Sequence, residues 1–180
     1  MDNRAVGAWD WGDFVDPGSF DDYAGPLKAF ADALDELRRR ELLLPTRMRV
    51  LGWMDADGEL FEMRSSVKTS VDPDTDIVGL LRQLSEARGG RRPINVQVFG
   101  ACQVAGDASL RQDGCQLTLA DGLLHLELLP EEFATGPLRA RNAPRLRAAL
   151  DAIAQITGEP TVPDEDARGE STPVGVTLAA

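Results

Sequence analysis

Residues 115–129 read CQLTLADGLLHLELL, and this stretch decides the fold of the chain. Apolar and polar residues alternate on both sides of Asp121-Gly122, which is the pattern of two half-buried strands. Asp-Gly favours a two-residue turn, because both central positions of a type I′ turn need a positive φ. The stretch therefore predicts an antiparallel β-hairpin that turns at residues 121–122.

The register that follows from this turn separates the two kinds of side chain. Three cross-strand pairs are apolar: Leu119 with Leu124, Leu117 with Leu126, and Cys115 with Leu128. Two pairs are polar: Thr118 with His125, and Gln116 with Glu127. A shift of one residue would mix the two faces, so the turn and the pattern predict the same pairing.

Residues 93–104, PINVQVFGACQV, predict another strand with one apolar side. A second hairpin is predicted over residues 47–67, turning at Asp57-Gly58. Its register would pair Val50 with Ser65 and Met54 with Phe61. In the same register Trp53 would lie on the polar side of the hairpin.

Three stretches carry apolar residues at spacings of three and four, and they predict helices at about 26–43, 76–87 and 143–157. Pro45 is expected to stop the first helix, and Asp74 or Asp76 is expected to cap the second. Together these elements predict a single α+β domain over residues 1–158. It would contain an antiparallel sheet of about five strands, with three helices packed mainly on one face.

Composition limits the class of protein. A chain of 180 residues suits one domain, and its two cysteines do not make a disulfide framework. Neither a membrane-spanning apolar run nor a signal-peptide pattern is recognisable in the sequence. The sequence therefore predicts a cytoplasmic protein, and its richness in Ala, Arg, Leu, Asp and Gly indicates a bacterial source.

The net charge of −11 is concentrated at the two ends of the chain. Residues 1–36 carry a net charge of −7 and residues 159–180 carry −4, so the residues between them are neutral. This distribution argues against nucleic-acid binding, which needs clustered Lys and Arg. Residues 159–180 are also rich in proline and acidic residues, which predicts a disordered tail that adds little to stability.

Residues 1–25 form an acidic arm that contains several aromatic residues. We predict a partner-binding surface made of Trp9, Trp11, Asp13, Phe14, Asp21 and Asp22. Aromatic anchors and an acidic field would suit a basic protein partner. The alternative is an arm that buries Trp9, Trp11 and Phe14 against the domain and keeps its aspartates in water.

The residues available for catalysis are few. His125 is the single histidine, so any Ser-His-Asp or Cys-His arrangement would have to use it. The alternative to a binding arm is a polar-face site made of Gln97, Thr118, His125 and Glu127. In that site His125 would act as a general base and Glu127 would orient it. The simpler interpretation is a strand histidine that pairs with Thr118.

Cysteines and aspartates do not predict a cofactor or a metal site. Cys102 and Cys115 fall on the apolar side of their strands, where we expect inert buried thiols. Asp72, Asp74 and Asp76 are explained by turn formation and helix capping. No catalytic residue, cofactor or metal ligand is therefore predicted.

Three classes of function are compatible with these observations: a protein-binding module, a small enzyme that uses His125, and an accessory structural subunit. A compact acidic α+β domain without a catalytic set is similar in type to bacterial immunity proteins, which neutralise toxins. The similarity implies an inhibitor of a basic protein partner, with neither nucleic acid nor membrane as a partner, and it assigns no residues. Protein binding is the favoured prediction.

Overall fold

The computed structural model describes residues 7–11, 24–55, 66–120, 123–133 and 135–158. These residues form six strands: β1 Gly7–Trp11, β2 Leu44–Met54, β3 Ser66–Ser70, β4 Arg92–Gln103, β5 Leu110–Ala120 and β6 Leu123–Leu128. They also form three α-helices: α1 Ala24–Arg39, α2 Ile77–Glu86 and α3 Arg139–Thr157. A short 3₁₀-helix, Glu131–Phe133, follows β6.

The six strands form one antiparallel sheet in the order β1-β6-β5-β4-β2-β3. In the hairpin β5–β6, all five predicted cross-strand pairs are present. The predicted register of this hairpin is therefore confirmed, while its turn at residues 121–122 lies outside the described residues. β1 comes from the predicted N-terminal arm and brings the sheet to six strands instead of about five.

One face of the sheet packs on the helices and forms the core. Leu117, Leu119, Leu124 and Leu126 alternate along β5 and β6 and are fully buried. Apolar side chains of α1 and α3 complete the core, including Phe30, Leu34, Leu37, Leu146 and Ile153. The predicted α+β fold, with an antiparallel sheet and its helices packed mainly on one face, is confirmed.

The predicted register of the hairpin β2–β3 is wrong by two residues. Val50 pairs with Val67, where Ser65 was predicted. Phe61 and the predicted turn at residues 57–58 lie outside the described residues.

Trp53 was also predicted wrongly, on the polar side of β2. Its side chain is only 1% exposed and belongs to the core, with the Arg88 guanidinium 4.5 Å from the ring centroid. Gly52 precedes it with a φ of 75°, while the pairing with β4 continues on both sides of Gly52, Leu51 with Asn95 and Trp53 with Pro93.

The first helix ends earlier than predicted, at Arg39. Glu41 has a φ of 55° and its N–H donates to the carbonyl of Arg38, while the N–H of Leu42 donates to that of Leu37. This is a Schellman ending in which Glu41 stands where glycine is usual, so the sequence contains no stop signal there. Pro45, predicted to stop the helix, lies in β2.

The other two helices agree better with their predicted ranges. Asp76 caps α2, since its Oδ1 accepts a hydrogen bond from the Gly79 N–H at 2.9 Å. α3 starts four residues before the predicted position, at Arg139, and Pro144 lies inside it. Among the helices that the structure describes, none has the length and apolarity needed to cross a membrane.

Candidate functional site

The side of the sheet opposite the core, here called the polar face, brings the predicted polar residues together. One row of cross-strand neighbours runs through all six strands: Asp10, His125, Thr118, Gln97, Arg49 and Lys68. The next row includes Glu127, Gln116, Phe99 and Arg47. The four residues of the predicted polar-face site therefore lie in two adjacent rows.

His125 lies between two carboxylates. Its Nδ1 is hydrogen-bonded to Oδ1 of Asp10 on the neighbouring strand β1. Its Nε2 lies 3.4 Å from Oε1 of Glu127 on its own strand. The side chain is 19% exposed, so solvent screens these contacts only in part.

These contacts determine the charge that the ring prefers. Glu127 beside Nε2 raises the pKa of His125 most, burial of the ring lowers it, and Asp10 raises it further, so that the net pKa is above the usual 6.5. A neutral imidazole has a single N–H, whereas an imidazolium donates from both nitrogens. Two flanking carboxylates therefore favour the protonated ring.

The general-base role predicted for His125 gains no support from this geometry. An imidazolium that donates on both sides has no lone pair with which to take a proton. Glu127 faces Nε2, the nitrogen that would have to reach a substrate, and the partner of Nδ1 is Asp10. Sequence reasoning missed Asp10, although the alternation in Trp9-Asp10-Trp11 is a weak strand signal.

Other residues of the polar face also contact one another. Nε2 of Gln116 donates to the Thr118 hydroxyl at 2.9 Å, and Thr118 itself is buried. In the next row the Arg47 guanidinium lies 4.5 Å from the centroid of the Phe99 ring. These contacts are typical of a packed polar surface.

Both cysteines are buried, as predicted. Burial raises the pKa of Cys102 to about 12 and that of Cys115 well above its usual value. Both groups are therefore thiols at neutral pH, and a thiol is a poor nucleophile. Within the described ranges, no group of three or more His, Cys, Asp or Glu residues is arranged to hold a metal ion.

The predicted arm surface is corrected at its two tryptophans. Trp9 and Trp11 are 6% and 0% exposed and belong to the core, opposite Leu126 and Leu124 of β6. They are therefore not exposed anchors, and the burial that the alternative predicts is found at these two residues. The other four members of the predicted surface lie outside the described residues: Asp13, Phe14, Asp21 and Asp22.

The net charge of the chain is carried by segments outside the described residues. These residues carry 16 acidic and 16 basic side chains, so the remaining segments hold the whole net charge of −11. Segments 12–23, 56–65 and 121–122 have net charges of −4, −2 and −1. Residues 159–180 hold the other −4.

Three of these segments join the sheet at one end. Trp11 ends β1, Met54 ends β2 and Ala120 ends β5, and the pairing of the strands places all three ends on the same side of the sheet. We call this side the acidic end. The segments that follow these strand ends come from distant parts of the sequence and are joined to the same end of the sheet.

The helix α3 precedes the acidic residues 159–180. It starts at the end of the sheet opposite the acidic end, where the Arg145 guanidinium donates to the backbone carbonyls of Arg40 and Gln103, the latter at 3.0 Å. The helix then packs against α1, and its 19 residues span about 28 Å. Residues 159–180 follow it directly.

The comparisons with known proteins identify no relative. No protein family model, no curated protein and no solved structure matches the chain. The function is therefore inferred from the charges and contacts of the chain itself.

Proposed function

We propose that this chain is a protein-binding module whose acidic end docks on a basic surface of another protein. The observation that supports this best is the separation of charge. The described residues are neutral as a whole, while segments with a total net charge of −7 join one end of the sheet. Acidic segments joined to one end of a neutral body would present an oriented field to a partner.

The physical consequence is directional attraction. An acidic surface speeds encounter with a basic protein and turns the two molecules toward each other before contact. The same field repels the phosphates of nucleic acid. This behaviour suits an immunity-type inhibitor of a basic partner such as a toxin. The small enzyme that uses His125 is less well supported, because both nitrogens of its ring face carboxylates.

The test compares two variants that remove the same charge from different places. The first changes the acidic end: Asp13→Asn, Asp16→Asn, Asp21→Asn and Asp22→Asn. The control changes four exposed carboxylates elsewhere: Asp72→Asn, Asp74→Asn, Glu131→Gln and Asp151→Asn. Both variants keep Trp9 and Trp11, whose replacement would disturb the core and confuse loss of folding with loss of binding.

The experiment has two steps. Immobilised wild type captures a protein from the source cells, and the association rate of the purified captured protein is then measured at increasing salt. We expect the acidic-end variant to associate about tenfold more slowly at low salt and to lose most of its salt dependence. The control variant should stay close to wild type. Equal effects of the two variants, or capture of no protein by wild type, would show that the proposal is wrong.

A further inference from the structure

We propose that Asp10, His125 and Glu127 form a pH-responsive lock that holds strand β1 on the sheet. β1 is an edge strand of five residues, and β6 is its one neighbour in the described sheet. Asp10 lies on β1, whereas His125 and Glu127 lie on β6. The hydrogen bond between Asp10 and His125 therefore joins side chains across the boundary that must break when β1 opens.

Protonation of the ring decides the strength of this contact. The imidazolium donates to Asp10 from Nδ1 and faces Glu127 with Nε2. When the ring loses one proton, one of its nitrogens keeps an N–H and the other carries a lone pair. One carboxylate then faces the lone pair, and the other accepts a hydrogen bond from a ring that is no longer charged. Glu127 stays beside the ring when β1 opens, because both belong to β6. The contact with Asp10 is the part that opening removes.

Among the described residues, no other charged group lies close enough to the ring of His125 to replace this interaction. Among the described residues, the charged groups that face the ring are Asp10 from β1 and Glu127 from β6, and β5 contributes the uncharged Thr118. Arg49 is the nearest cation in the same row, on β2, three strands away. That separation is about 14 Å at the usual strand spacing. Solvent ions screen charges over such distances.

The direction of the pH effect follows from the raised pKa of His125. In the open state Asp10 no longer lies beside the ring, so the pKa of His125 is lower in the open state than in the closed state. The lock is complete at pH values below the open-state pKa, and it is lost as the pH rises through the closed-state pKa. Between these two values opening releases one proton, and the opening equilibrium constant rises about tenfold per pH unit.

Opening remains a local and infrequent event. Trp9 and Trp11 are buried in the core, and because their side chains do not titrate, their burial favours the closed strand at every pH tested. A higher pH therefore increases the fraction of time that β1 spends open without detaching it completely. The lock is a property of the isolated chain, so it does not depend on the proposed partner.

The first test uses the fact that His125 is the single histidine of the chain. Its ring protons give one titration curve by NMR in the full-length protein. We expect a midpoint above 6.5 in wild type, and a lower midpoint in Asp10→Asn. The control Asp151→Asn, an exposed residue of α3, should leave the midpoint unchanged. A wild-type midpoint at or below 6.5, or one that Asp10→Asn does not lower, would refute the lock.

The second test measures opening itself by amide hydrogen exchange from about pH 6 to about pH 9, corrected for the intrinsic rate of each amide. In wild type, opening constants of the β1 amides should rise with pH, and those of the central strand β4 should stay constant. In His125→Gln the rise should disappear. If this variant does not fold, Asp10→Asn provides the same comparison. A rise that persists in the folded variant, or no rise in wild type, would overturn the proposal.

Discussion

The hairpins β5–β6 and β2–β3 bury their side chains in different ways. In β5–β6 both strands alternate, and apolar residues of each strand face the core in register with those of the other. In β2–β3 one strand is largely buried, while β3 is exposed at every second position and only partly buried elsewhere. Val67 is the member of β3 that packs against the core.

The difference teaches what an alternating pattern can specify. A shift of one residue turns every side chain to the opposite face, whereas a shift of two keeps both faces unchanged. In β5–β6 a shift of two would leave a buried leucine without its apolar partner. In β3 the same shift costs little, because a single valine contacts the core. An Asp-Gly pair is therefore a safe guide to register only where both strands are anchored.

The largest expected effect is in the anchored hairpin. Leu126 is fully buried opposite Leu117, so Leu126→Ala removes apolar contacts and leaves a cavity. We expect the free energy of unfolding to fall by about 2–5 kcal/mol. Urea denaturation followed by circular dichroism measures the change. If the free energy of unfolding falls by less than about 1 kcal/mol, the surrounding side chains can close the cavity, and the hairpin is less firmly anchored than its burial indicates.

A smaller effect is expected in the weakly anchored hairpin. Val67 is partly buried, so Val67→Ala should lower the free energy of unfolding by about 1 kcal/mol. The same denaturation experiment applies, with exposed Ser66→Ala as the control, for which no change is expected. If Val67→Ala costs as much as Leu126→Ala, the contrast between the two hairpins does not hold.

The smallest effect concerns the polar contact at the far end of β5. Glu132 accepts a hydrogen bond from Nε of Arg111 at 3.1 Å. Burial raises the pKa of Glu132, but the hydrogen bond and the charge of Arg111 lower it more, and the net pKa is below 4.5. Glu132→Gln should therefore cost about 0.5 kcal/mol near neutral pH, since the pair is partly exposed.

The pH dependence of this cost has a definite sign. A carboxyl with a lowered pKa stabilises the fold above its unfolded pKa, and this contribution is lost as the pH falls through the folded value. The difference between wild type and Glu132→Gln should therefore be present at neutral pH and vanish in acid. Glu131→Gln, at the exposed neighbouring residue, should show no difference at either pH. A difference that persists unchanged in acid would contradict the ion pair.

The sequence by itself determined the face of most side chains. Alternation and the turn at residues 121–122 predicted the register of β5–β6 and placed Thr118 and His125 together. Spacings of three and four predicted all three helices, with boundaries displaced where the stop signal was missing, as at Glu41. These properties are local, because each depends on residues close together in the chain.

Only the tertiary structure decided which distant residues meet. Asp10 reaches His125 because β1 pairs with β6, although 115 positions separate the two residues in the sequence. The three segments of the acidic end are also far apart in the sequence, and the strand order attaches them to one side of the sheet. Trp53 lies in the core next to Gly52, which adopts a positive φ. Strand order and backbone reversals of this kind depend on how the whole core is buried, and no short stretch of sequence contains that information.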